Sequence, residues 1–484
     1  MKKKESVTAL TISAWIIYLV IPAVAIAAEI GIGEKVYIDS EVLGETRELW
    51  ISIPENQLNS EERYPVLYLL DGDSNFRHVS AVAEFLAASN RIPHLIVVGV
   101  LNTDRGRDLT PPSTDPDDTL NFPTHGGANN LQEFFKSELF PFIEKNYRVR
   151  PYKILVGHSL GGLFAIHTLT TRPELFNAYI AISPSLHWSK QGMVNQAEKF
   201  LASTNELQVD FYMTTANEGG SSLAAFRKLA GALGEHNPRG FRWDYNHMPE
   251  ETHASVALKS LYFGLESIFN GWSLDKAVEV YKIAGIEALE AAYQSGGQRY
   301  GYERALSNPL LLQIASQLID LNQLDQAAQL ITEDFDAVPP SYFLNLLADK
   351  YMEYGNSVRA KVLYESSLIN NPSDALAKAR LVEMGIDPST LITEVLVEEE
   401  VLQSYVGDYQ LQPNFVLTIF IDSSKLYSQG PGQRAAELVP LSSSRFSMTG
   451  DDSQIEFFSA VGIEASRLVL RKFGMEMEAV RLRQ

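Results

Sequence analysis

From residue 29 to about 272, short apolar β-branched runs alternate with stretches whose apolar positions recur at helical spacing. The strand candidates are Val36–Ile38, Thr46–Ile53, Val66–Leu70, Leu95–Val100, Lys153–Val156, Ala178–Ile182, Val209–Thr214 and Phe241–His247. Between the later ones lie helix-length segments such as Leu131–Asn146 and Gly161–Arg172. Antiparallel strands first and βαβ alternation afterwards predict an α/β domain with a mixed, mostly parallel sheet. Leu95–Val98 and Ile154-Leu155-Val156 are apolar throughout. A parallel strand covered on both faces requires this.

After about residue 273 the strand period disappears and Ala, Leu, Tyr and Gln fall at helical spacing. Ala315, Ala327 and Pro339 recur 33 residues later as Ala348, Ala360 and Pro372. With Leu344, Leu347, Tyr351 and Tyr364 this resembles tetratricopeptide spacing, although the usual Trp and Gly positions differ. Two good units and a degraded one before Ser307 predict a helical region that packs on a neighbouring domain. It serves either for helix-pair packing alone or as a groove for a protein partner. From about 395 the alternation returns. Val416–Ile421, Lys425–Ser428, Ala436–Leu441, Arg445–Thr449, Ile455–Phe458, Ser466–Leu470 and Glu478–Leu482, separated by Gly- and Asp-rich turns, predict a small antiparallel barrel or sandwich.

The first residues have a different texture. Lys2, Lys3 and Lys4 precede an uncharged run from Ser6 to Ala28, with Pro22 ahead of the small-x-small triplet Ala25-Ile26-Ala27. This predicts a signal peptide cleaved near Ala27 and export to the periplasm or beyond. An uncleaved membrane anchor is the alternative, since 23 uncharged residues could span a bilayer. The expected organisation is a signal at 1–27, an α/β domain at 28–272, a helical region at 273–388 and a β domain at 395–484.

Composition narrows the chemistry. The 484 residues include 40 basic and 60 acidic side chains, a formal charge of −20. General nucleic-acid binding needs clustered Lys and Arg, so that class drops out. The absence of Cys excludes disulfides, thiolate metal sites and a cysteine nucleophile. No spacing suggests a metal or cofactor.

The strongest chemical signal is Gly157-His158-Ser159-Leu160-Gly161, placed between an apolar strand and a helical pattern. A G-x-S-x-G pentapeptide in this context is a nucleophile elbow. Ser159 then projects its hydroxyl on strained backbone, and Gly157 and Gly161 are small to avoid collision with the turn. The N–H of Leu160, at the positive end of the following helix, faces a developing oxyanion.

A serine nucleophile needs a base, and in this fold the order is Ser, acid, His. His236, His247 and His253 follow at suitable distance. His253, in the loop after the last strand, is best placed to reach the hydroxyl from the loop side of the sheet, with His247 the fallback. His158 reads as a packed neighbour. After Val209–Thr214, Glu218 is the carboxylate that would orient the imidazole. Asp244, or a dyad without an acid, is the alternative, and Glu250 and Glu251 read as a solvated pair. The second oxyanion donor falls after Tyr68-Leu69-Leu70-Asp71-Gly72, at the N–H of Asp73 or Ser74, with Gly72 freeing the turn.

Together these residues resemble the esterase D-like family of α/β hydrolases, its ferric-siderophore (enterobactin-type) esterase branch nearest. The pieces are Tyr64–Gly72, Arg107-Asp108-Leu109-Thr110-Pro111, Gly126-Gly127-Ala128, Phe140–Tyr147, the elbow, Ile182-Ser183-Pro184-Ser185, and Glu218 with His253, over about residues 30–270. The resemblance implies Ser159 as nucleophile, His253 as base, and hydrolysis of a carboxylic ester or thioester without metal or cofactor. It also implies that His187-Trp188, where the family often has an aromatic pair, lies near the acyl or leaving-group pocket, with His187 either altering substrate choice or serving only as a loop residue. Arg105, Arg107 and Arg77 could supply a basic pocket for an anionic substrate, with solvated surface arginines the favoured alternative. Tyr405-Val406-Gly407-Asp408-Tyr409 and the strands after it resemble the lipocalin-like domain appended to some exported hydrolases. The expected protein is an exported serine esterase acting on a small-molecule ester. An acyltransferase of the same fold, and a non-catalytic interaction protein using its helical and β regions, are the rival readings.

Overall fold

A computed structural model describes residues 31–484 except 55–61, 274–275, 336–337, 394, 413, 460–463, 473–474 and 483–484. The expected signal peptide, with its predicted cleavage near Ala27, lies outside the described residues.

Eight strands form one sheet: β1 (Glu34–Ser40), β2 (Glu45–Ser52), β3 (Tyr64–Leu69), β4 (Ile96–Val100), β5 (Val149–His158), β6 (Ala178–Ile182), β7 (Asp210–Thr215) and β8 (Arg242–His247). All eight lie where the apolar runs predict them. Their order is β1-β2-β4-β3-β5-β6-β7-β8. The β1–β2 and β2–β4 pairs are antiparallel, and the remaining neighbours are parallel. β3, β4, β6 and β7 are buried at every position, because helices cover both faces of the sheet. Tyr68, Leu155, Tyr179 and Phe211 pack on one face with helices Ala128–Phe134, Leu160–Thr171, Trp188–Ser203 and Gly220–Glu235. Leu67, Leu69, Ile154 and Ile180 pack on the other with Gly72–Ala88 and Val256–Ile268. The loops at the carboxyl ends of the parallel strands are where a site forms in such a sheet.

The helical region follows. Ala277–Gln298 precedes two helix pairs, Asn308–Asp320 with Leu324–Thr332 and Ser341–Glu353 with Ser357–Asn370. Ala315, Ala327, Ala348 and Ala360 are fully buried, where small side chains let paired helices approach. The region is fastened to the sheet at the opposite end from the site loops. Tyr300 and Tyr302 join Phe269 and Trp272 in the sheet's own core. Arg299 and Arg242 both clasp the buried carboxylate of Asp210, at 2.5 and 2.6 Å, and Tyr152 donates to it at 2.6 Å.

The last strands are β9 (Gly407–Gln412), β10 (Phe415–Asp422), β11 (Lys425–Gln429), β12 (Ala436–Pro440), β13 (Arg445–Met448), β14 (Gln454–Phe458), β15 (Arg467–Lys472) and β16 (Met475–Arg481). They close an antiparallel barrel in which β9 joins β16 to β10. β9 is absent from the strand series read from the pattern, since only Tyr409 and Leu411 are strongly apolar in it. It decides barrel over sandwich. Tyr409, Leu417, Ile419, Phe446, Ile455, Phe457 and Leu468 belong to the barrel's core.

Candidate active site

β5 ends at His158, and the helix Leu160–Thr171 starts one residue after Ser159. That junction forces Ser159 to φ 60° and ψ −114°, a region costly for a residue with a side chain. Three backbone hydrogen bonds hold it there. Its N–H donates to Ile182 O at 2.9 Å, and its carbonyl accepts from Leu163 and Ser185 at 3.0 and 3.1 Å. A Cβ on Gly157 would lie 2.1 Å from the Gly161 carbonyl oxygen. A Cβ on Gly161 would meet only ordinary contacts, at 3.4 Å from Leu70 and Asp71. The expectation that both glycines avoid separate collisions is therefore corrected: one contact, Gly157 against the Gly161 carbonyl, closes the turn. Gly162 is the second tight position, 3.0 Å from Pro184.

The next two parallel strands bring in the acid. Glu218, three residues beyond β7, accepts from His253 Nδ1 at 2.5 Å through Oε1. Ser183 Oγ donates to the same oxygen. Oε2 accepts from Thr215 Oγ1 at 2.6 Å and from Ala216 N–H at 3.1 Å. Burial pushes this carboxyl's pKa up. The four hydrogen bonds, from His253, Ser183, Thr215 and Ala216, outweigh that and hold it at about 2. Asp244 lies exposed on the edge strand β8 and accepts from the N–H of Tyr245. The carboxylate beside His253 is thus Glu218. His247 stands apart with Phe226, Trp243 and Tyr245 around a surface hollow.

His253 sits in an exposed loop with 48% of its side chain accessible. Its ring lies 4.7 Å from that of His158, and its carbonyl accepts from His158 Nε2 at 2.7 Å. The Ser159 hydroxyl is paired with Ser185 Oγ at 3.4 Å. Catalytic hydrogen bonds commonly tighten only in the substrate complex. Ser183, Ser185 and Thr215 were not singled out by sequence as site residues. The available signal was position, since Ser183-Pro184-Ser185 follows β6, the strand beside the elbow strand.

The N–H of Leu160 opens its helix and has no acceptor within it. Beside it, Leu70 N–H donates to Val156 O at 3.0 Å, which sets the loop after β3 against the elbow. In that loop the N–H groups of Ser74 and Asn75 both turn back to Asp71 O at 3.1 Å. Of the two candidate donors this leaves Asp73. Gly72 is not the residue that frees the turn: Asp71 takes the left-handed conformation, φ 54°. Gly72 is small because its Cβ would sit 2.8 Å from the backbone of Gly99 in β4. The Asp71 carboxylate receives Arg105 at 2.7 and 2.9 Å and Asn102 at 2.7 Å. Arg105 Nη2 also reaches the carbonyl of His158 at 3.2 Å.

Two expected substrate residues are placed otherwise. Arg107 directs Nε to Asp108 at 2.7 Å and both terminal nitrogens to Glu45, at 3.1 and 2.7 Å. Its guanidinium braces β2 and the loop after β4. Those ion pairs hold its pKa above the usual arginine value. Trp188 is fully buried, donates to Pro111 O at 3.2 Å and packs on Phe122 and His125. It is core. His187, one residue earlier, is exposed. It is followed by Ser189, Lys190 and Gln191, all with φ between 51° and 65°.

A family model described as "Putative esterase" matches residues 40–243. The chain is 33% identical over 162 residues to the ferri-bacillibactin esterase BesA of Bacillus subtilis, covering 30% of this chain and 55% of that one. It is 32% identical over 154 residues to the siderophore enterobactin esterase of Emericella nidulans, covering 28% and 51%. The chain spans about half the length of these curated relatives. Among solved structures it is similar to an IroE-like serine hydrolase from Shewanella oneidensis, with 29% identity and a TM-score of 0.52 over 62% of this chain and 97% of that one. An uncharacterised protein from Capnocytophaga ochracea, 16% identical, shares the fold at a TM-score of 0.52 over 73% of this chain and 99% of that one.

Proposed function

We propose that the chain hydrolyses carboxylic esters or thioesters of small molecules through Ser159, His253 and Glu218. The observation that carries this reading is the Glu218–His253 hydrogen bond beside a serine on strained backbone at a strand-to-helix turn. Glu218 accepts the Nδ1 proton, so Nε2 of His253 is free to take the proton of the Ser159 hydroxyl. Ser159 Oγ attacks the ester carbonyl, and the N–H groups of Leu160 and Asp73 stabilise the oxyanion. Collapse expels the alcohol, which receives the proton from His253. Water, deprotonated by the same imidazole, then releases the acid and restores Ser159.

The matching family description and the relatives named as siderophore esterases support the ester bond as the target. Ferric siderophore esters are therefore one arm of the substrate panel, with p-nitrophenyl butyrate as the general probe. In this reading the protein is exported, its tetratricopeptide-like helices and lipocalin-like barrel accompany the hydrolase, and mass spectrometry of the secreted chain finds it starting near Ala28. Ser159→Ala should lower p-nitrophenyl butyrate turnover by at least about 10³-fold with the fold intact. Unchanged turnover rejects the reading.

A further inference from the structure

His158 occupies the variable position next to the nucleophile, and the mechanism above gives it no role. Its contacts are nonetheless specific. Nε2 lies 2.7 Å from the backbone carbonyl of His253, an atom that only accepts, so Nε2 carries the proton. Its own carbonyl accepts from Arg105, which in turn grips Asp71 at the start of the oxyanion loop. Burial, and then the neighbouring His253, lower its pKa, favouring the neutral ring. The ring rests 4.7 Å from that of His253.

The loop that carries the base needs such a fixture. Residues 252–255 are all exposed. The loop is tied to the acid side by Asn217 N–H to Glu251 O at 3.0 Å and by Glu218 to the imidazole Nδ1. Neither bond fixes where Nε2 points, because the imidazole can pivot about the Glu218 contact. Among the described residues, the hydrogen bond joining the His253 residue to the nucleophile strand is the one from His158. We propose that His158 is a positioning residue that fastens the backbone of the base to the nucleophile strand and so sets the approach of His253 Nε2 to Ser159 Oγ. The proposal rests on the ester-hydrolase reading and assigns a role to a residue outside the triad. A displacement of the order of 1 Å between base and nucleophile costs about 10²-fold in rate.

Two variants of similar reach separate the hydrogen bond from the volume. His158→Gln presents an amide N–H at roughly the position of Nε2, whereas His158→Met fills the space without a donor. With p-nitrophenyl butyrate, His158→Met should lose about 10²-fold in kcat with KM within about threefold of the parent. His158→Gln should recover at least about tenfold of that loss. The rate of Ser159 labelling by a fluorophosphonate should fall and recover in parallel. Equal activity of the Gln and Met variants overturns the proposal. So does loss of native fold in the Met variant, which makes the role merely structural. Failure of the underlying reading shows separately, as undiminished turnover in Ser159→Ala.

Discussion

The carboxylate of Glu218 accepts a 2.5 Å hydrogen bond from Nδ1 of His253 while three further donors converge on its oxygens. A carboxylate so surrounded is an acceptor and nothing else, which dictates the tautomer of the imidazole it faces. Burial raises its pKa, and the hydrogen bonds from His253, Ser183, Thr215 and the Ala216 N–H outweigh that and keep it ionised.

Glu218→Gln should reverse that tautomer, because an amide can donate to Nδ1. Turnover should fall by about 10²–10⁴-fold. Stability should also carry a pH signature. The native carboxyl is held at about 2 against an ordinary value of 4.5. Its contribution is therefore complete above about pH 4.5 and disappears as the pH falls toward 2. Denaturant titrations of both proteins should show a stability difference that is constant above that window and shrinks within it. A difference that does not change with pH contradicts the assignment.

The two glycines of the elbow should separate. Gly157→Ala drives a methyl into the Gly161 carbonyl and should cost about 1–3 kcal/mol or more, with loss of fluorophosphonate labelling. Gly161→Ala meets only 3.4 Å contacts and should keep the melting temperature within a few degrees. Thermal melts and labelling of both variants test the pair.

Arg107 should behave as a brace and not as a substrate contact. Arg107→Met leaves Glu45 without its fork and should lower the melting temperature by several degrees, with KM for p-nitrophenyl butyrate unchanged. A raised KM at full stability would return Arg107 to the binding site.

Asp210 should be the most sensitive point outside the site. It is 2% exposed and shared between two arginines and Tyr152. Asp210→Asn leaves guanidinium groups short of their counter-charge and should destabilise by about 3–5 kcal/mol in equilibrium denaturation. Because Arg299 follows the helix Ala277–Gln298, the helical region should loosen in the same variant. Hydrogen exchange at Tyr300 and Tyr302 reports this.

The eight sheet strands and the elbow were legible in the chain because their signals are local. Strands covered on both faces, such as β3, β4 and β6, are apolar almost throughout, and Gly157-His158-Ser159-Leu160-Gly161 is a contiguous pentapeptide. His253, the proposed base, was singled out on a similarly local signal, since it lies in the loop after the last strand. The choice between Glu218 and Asp244 was not legible, because it depends on which turn approaches the His253 loop across the sheet's end. Arg107 and Trp188 were misplaced for a related reason. Their partners, Glu45 and Pro111, lie 62 and 77 residues away, and hydrogen bonds at that separation exist only once the chain has folded. The contacts of Ser183, Ser185 and His158 likewise follow from the adjacency of β5 and β6 and the reach of one exposed loop. The sequence by itself determined the eight strands of the sheet and which serine stands at the turn, but not β9, which closes the barrel. The tertiary structure decided which carboxylate faces His253, which cations are already paired and which carbonyl His158 meets, because those contacts join segments far apart in the chain.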